Sequence, residues 1–125
     1  MQVSLRDVLQ KLPGPQSAAW PEGRFAAEVL AHGTMTLEVF APRGRSDQAP
    51  RPEDRLVIIA AGQAATKSGD DAGTVMAGDA LLVPAGDTFQ IIQPSDDFIA
   101  WIVAWGPEGG EAEAPSPSVF AAIDA

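Results

Sequence analysis

The sequence predicts an all-β barrel or sandwich preceded by one short helix. Three observations carry that prediction. Short runs of strand-forming residues recur at regular spacing between residues 24 and 105. Glycine, proline and aspartate punctuate the gaps between them. Helical periodicity is confined to the N-terminus, where Leu5, Val8, Leu9 and Leu12 make one apolar stripe.

The elements follow in order. In "SLRDVLQKL", residues 4–12, Ser4 is a good N-cap, and Pro13-Gly14 stops the helix. Residues 13–23 read as loop, with Trp20 placed to cover a barrel end or a partner subunit. "RFAAEVLA" (24–31) and "TMTLEVFA" (34–41) read as strands joined by a turn at His32-Gly33. "PRGRSDQAPRPED" (42–54) reads as a polar, proline-rich connection. "RLVIIAA" (55–61) is strongly strand-like and ends at Gly62. Residues 62–78 hold a hairpin that turns between Ser68 and Asp71. "ALLVP" (80–84), "TFQIIQ" (88–93) and "DFIAWIVAW" (97–105) complete the set. The acidic tail, 106–125, reads as loop, with a short terminal helix from Ser118 as the alternative to disorder. The expected organisation is therefore a helix and loop over 1–23, a β-barrel over 24–106 and a tail over 107–125.

Composition narrows the chemistry. The 125 residues suit one domain, and a 46% hydrophobic content can supply its core. A net charge of −9 disfavours nucleic acid and anionic membranes as partners. No apolar run approaches the length of a membrane span, and the N-terminus lacks the pattern of a signal peptide, so a cytoplasmic location is expected. Without cysteine there is no disulfide, thiolate ligand or thiol nucleophile. Without tyrosine, and with His32 as the one histidine, no two-histidine or His–Tyr mechanism can be built in one chain.

"GDALLVPAGDTFQ", residues 78–90, resembles the second motif of the cupin superfamily. That motif runs glycine, five residues, Pro-x-Gly, two residues, histidine, three residues, then often asparagine. Gly78, Pro84 and Gly86 fall on the pattern, whereas Phe89 holds the histidine position and Gln93 the asparagine position. The first motif aligns from Gly62 backwards. Arg55 then stands at the glutamate, Arg51 and Ala49 at the two histidines, and Gly44 opens the motif one residue early. The resemblance spans roughly residues 24 to 110 and implies a conical β-barrel, the double-stranded jelly roll, and a homodimer.

The departures bear on function. The family holds metal through imidazoles and a carboxylate, and those positions here are Ala49, Arg51, Arg55 and Phe89. Alanine and phenylalanine carry no donor atom, and a guanidinium stays charged and repels a cation. No metal or other cofactor is therefore expected, and metal-dependent dioxygenase or isomerase activity is disfavoured. His32 reads as a turn residue rather than a ligand.

Strand alternation puts Arg55 on one face with Val57 and Ile59, the face that the resemblance turns into the barrel. Buried guanidinium groups need a negative partner. One of Glu28, Glu38, Asp47, Glu53 or Asp87 can pair with them internally, or a small organic anion can bind. The binding reading takes Arg51, Arg55, Phe89, Ile91, Gln93 and Trp101 as pocket residues. The alternatives are a dimer that has filled its own barrel around Phe89, and a metal-independent isomerase or epimerase. Trp101 and Trp105 share one face of the last strand, with core or dimer packing as the simpler role. Asp70-Asp71 and Asp96-Asp97 read as turn chemistry, with calcium a remote alternative. A binding rather than an enzymatic role is favoured.

Overall fold

The computed structural model describes residues 1–14 and 25–112. Trp20 and the segment from Ser118 lie outside the described residues. Among the described residues one helix, α1 (Leu5–Leu9), precedes nine strands: β1 (Ala26–His32), β2 (Met35–Phe40), β3 (Ser46–Gln48), β4 (Asp54–Ala61), β5 (Gln63–Ser68), β6 (Asp71–Met76), β7 (Ala80–Val83), β8 (Phe89–Ile92) and β9 (Ile99–Trp105). They form two antiparallel sheets, ordered β1-β2-β9-β4-β7 and β3-β8-β5-β6. The fold is a jelly-roll barrel with its core between the two sheets. Among the described residues no helix is long and apolar enough to cross a membrane.

Register fixes which side chains look inward. Glu38 pairs with Ile102 and Ile102 with Val57, while Ala104 pairs with Arg55 and Arg55 with Val83. Cross-strand neighbours share a face, so Glu38 and Arg55 stand in the same inward layer as Val57 and Ile102. The second sheet contributes Phe89 and Ile91, both fully buried, and the core closes with Phe40, Ile59 and Phe98. Burial alternates along β4, β8 and β9, which is why these segments are legible as strands.

Three expectations need correction. The helix is shorter than 4–12, and although Ser4 stands extended at the cap, its hydroxyl makes no capping hydrogen bond. The first hairpin turns at Gly33-Thr34, because His32 is still paired with Met35. The connection over 42–54 contains β3, whose three residues pair with β8. "SDQ" has no apolar alternation, so the backbone ladder to β8 alone makes it a strand.

Gly62 marks the corner between β4 and β5 and has φ +78°. A Cβ there would lie 2.5 Å from the Ser95 hydroxyl and 2.7 Å from the Phe98 Cα. Gly44 also has positive φ, but open space surrounds its missing Cβ. Gly62→Ala is thus expected to lower unfolding free energy by roughly 3 kcal/mol or more, because clash adds to strain. Gly44→Ala bears only the strain, about 1–2 kcal/mol. Urea denaturation of the two variants checks the ordering, and equal losses would contradict it.

Candidate functional site

The site lies at the barrel end where β2, β3, β4 and the β7–β8 corner meet. That corner, residues 84–88, is tied down by backbone and side chain together. The Arg51 carbonyl accepts a hydrogen bond from Gly86 N–H at 2.9 Å. Asp54 Oδ1 accepts one from Ala85 N–H at 2.9 Å, and its Oδ2 one from Glu111 N–H at 2.9 Å. These backbone donors to the carboxylate hold the Asp54 pKa below the usual aspartate value.

Arg51 and Glu38 form a two-pronged ion pair. Nη1 donates to Glu38 Oε2 at 2.6 Å and Nη2 to Oε1 at 3.1 Å. The fork matches the carboxylate, and both side chains are largely withdrawn from solvent, at 26% and 12% exposure. The hydrogen bonds to Glu38 push the Arg51 pKa up, against the burial that would lower it. Of the acids that the sequence offers to the arginines, Glu38 is the one that pairs with Arg51.

Arg55 differs. Its residue is 1% exposed. Nη2 donates to the Asp87 carbonyl oxygen at 3.0 Å, a neutral acceptor. Nε and Nη1 are buried and meet no hydrogen-bond partner among the described residues. Burial, followed by the like charge of Arg51, pushes the Arg55 pKa down, while Glu38, Glu53 and Asp87 act from further off in the opposite sense. The side chain is a buried cation with most of its donors unused.

Gln48 is the residue that sequence reasoning missed. It ends β3 opposite Phe89, and its buried Oε1 has no donor among the described residues. A cleft of about 320 Å³ opens beside it, with Glu38, Phe40, Ala49 and Arg51 among its walls. A glutamine in a polar, proline-rich connection gives no signal until β3 is known. Asp54 was equally hidden, since its role is to hold a backbone corner rather than a ligand.

The other expected pocket residues separate. Phe89 and Ile91 point into the barrel and are fully buried, so they form its floor rather than an open wall. Trp101 does not join them. It pairs with Val39 and Ile58, one position out of phase with the buried Ile102, and so stands on the outer face of the five-stranded sheet. Gln93 lines a different cleft, with Gln63, Thr74 and Met76. His32 is exposed at the end of β1, in register with Met35 and away from the arginines.

The donor set does not suit a metal ion. Ala49 and Phe89 offer no lone pair, and the two guanidinium groups present only N–H donors. Among the described residues no three His, Asp or Glu side chains are grouped to hold a cation. The cleft is lined by Gln48 and Arg51, and Arg55 lies buried outside its lining.

No protein-family model and no curated protein matches the chain. Solved structures do. A cupin-2 domain containing protein from Shewanella frigidimarina superposes with a TM-score of 0.61 at 11% identity, over 83% of this chain and 94% of that one. A cupin superfamily protein from Desulfitobacterium hafniense gives 0.56 at 18% identity, over 76% and 96%. A predicted oxalate decarboxylase from Thermotoga maritima gives 0.52 at 16% identity, over 64% and 77%.

Two outcomes follow from the geometry. Arg51→Met leaves Glu38 buried and unpaired, and is expected to cost about 2 kcal/mol, below the full buried-pair penalty because the Arg51 side of the pair keeps some solvent. Chemical denaturation at neutral pH measures it, and no loss would mean that the pair contributes nothing. Asp54 has a lowered folded pKa, so its contribution is present above its unfolded pKa and lost as pH falls through the folded value. Asp54→Ala should therefore flatten the acid limb of the stability–pH curve, read from melts in buffers below neutrality. An unchanged acid limb would refute it.

Proposed function

The chain has the cupin fold of these solved structures, and from that premise we propose that it binds a small organic anion in the barrel without a metal ion. One observation carries the reading: Arg55 is fully buried, and among the described residues no acid forms an ion pair with it. An uncompensated buried charge costs on the order of several kcal/mol. A structural arginine would have drawn in a carboxylate, as Arg51 draws in Glu38. Arg55 instead has one carbonyl oxygen and spare donors, which a carboxylate oxygen can accept.

Arg51 then has a supporting role. Its bond to Glu38 cancels one charge, and the pair walls the cleft. Phe89 fills the barrel interior and is fully buried. Catalysis would need a base or an acid aimed at the ligand. Glu38 is committed to Arg51, and His32 lies elsewhere, so binding is favoured over isomerisation.

A second reading concerns assembly. The outer face of the five-stranded sheet carries Leu37, Leu56, Ile58, Leu82, Trp101 and Trp105 in adjoining rows. Leu82 is 55% exposed. A second copy of the chain is proposed to cover this face.

Arg55→Met separates binding from structure. The ligand-free variant is expected to melt at or above the wild-type temperature, because a costly buried charge has been removed. Wild type should gain roughly 2.7 kcal/mol at a hundredfold excess of a carboxylate over its Kd, and the variant nothing. Differential scanning calorimetry with and without lactate measures both. A large drop in the variant's melting temperature, with no anion effect on wild type, would make Arg55 structural.

A further inference from the structure

We infer that the protein carries a second ligand site, in the cleft beside Gln63 and Gln93, and that it takes a small neutral polyol. The site shares no residue with Arg51, Arg55 and their partners, so it stands or falls apart from the anion-binding reading.

Strand register builds the cleft. Ala64 on β5 is buried between the sheets, so Gln63 and Ala65 face outward. Met76 is the cross-strand partner of Gln63, and Thr74 that of Ala65. Gln93 directly follows β8, which pairs with β5 on its other side. These residues and Asp79 line a cleft of about 370 Å³, a size that suits a small molecule.

The lining selects against charge. No lysine or arginine borders the cleft, so an anion meets no counter-charge there. The one carboxylate, Asp79, already accepts the Met76 backbone N–H at 2.9 Å and caps the end of β6. What remains is two primary amides and the Thr74 hydroxyl, each able both to donate and to accept. Hydroxyl groups on a ligand have the same double character and complement them. Met76, 57% exposed, and Ala65 offer apolar surface to the carbon skeleton between those hydroxyls.

Gln93 carries the argument furthest. Its φ is 52°, and among the described residues it is the one non-glycine in the left-handed region. Pro94 follows it, and a residue before proline favours extended backbone. Glycine takes positive φ without that steric cost, as it does at Gly62, Gly78 and Gly86. A corner that only had to turn would be better served by glycine. The chain instead holds a long amide in a strained conformation, on the wall of the cleft.

NMR titration of the labelled full chain with D-glucose, D-galactose and myo-inositol tests this, with choline chloride and sodium lactate as charged comparators. At least one of the polyols is expected to shift the Gln63, Thr74 and Gln93 resonances saturably, while choline and lactate leave them unmoved. Gln93→Gly should lower that affinity about tenfold, the ratio for one lost hydrogen bond, yet melt at or above the wild-type temperature because strain is relieved. Thr74→Val, which keeps the shape and removes the hydroxyl, should weaken binding similarly. No saturable shift at these residues from any polyol would overturn the inference, as would tighter binding of choline or lactate there. Unchanged polyol affinity in both variants, or a clear drop in the melting temperature of Gln93→Gly, would make the amide structural. Lactate shifts confined to the Arg55 end of the barrel bear on the anion site alone.

Discussion

Arg55 enters the barrel on the face that carries Val57 and Ile59, and its strand gives it no route back to water. β4 is hydrogen-bonded on both sides, to β9 and to β7. A guanidinium at that position must be met inside the protein, and the neighbouring geometry answers only part of the demand. The β7–β8 corner turns the Asp87 carbonyl toward it, and Asp54 and the Arg51 backbone hold that corner in place. Glu38, the acid that shares the inward layer, is bound to Arg51 instead. The two arginines, four residues apart in sequence, therefore do different things. One completes an ion pair at the cleft wall, and the other stays a charge in waiting.

Core packing alone would favour an apolar side chain at position 55, flanked as it is by Val83 and Ala104 across the ladder. Natural chains keep such costly groups where they act. The same logic applies to Gln48, whose buried amide oxygen lacks a donor.

Much of the fold was legible because its strands are half-buried and alternate. "RLVIIAA" and "IAWIVAW" show that period directly, and the corner glycines at 62, 78 and 86 all take positive φ. The inward direction of Arg55 followed from the same alternation. β3 was not legible, since three polar residues become a strand only through the ladder to β8. Gln48 was lost with it. Trp101 was misassigned to the pocket because an aromatic at a strand centre suits either face, and only the register with Val39 and Ile58 decides. The choice of Glu38 among five acids was also beyond sequence, as it depends on β2 lying next to β9 and so facing β4 across one strand.

The replaced motif positions can now be understood together rather than one at a time. A cation site is built from lone pairs converging on a point, and the residues here offer none at Ala49 or Phe89. Inverting the sign takes more than adding arginine, because two adjacent guanidinium groups repel each other. Glu38 relieves that repulsion by pairing with Arg51, which leaves Arg55 without an ion-pair partner among the described residues. Phe89 then occupies interior volume that would otherwise admit water, so the remaining charge stays poorly solvated and correspondingly strong. The result is a guanidinium held inside the barrel, away from water.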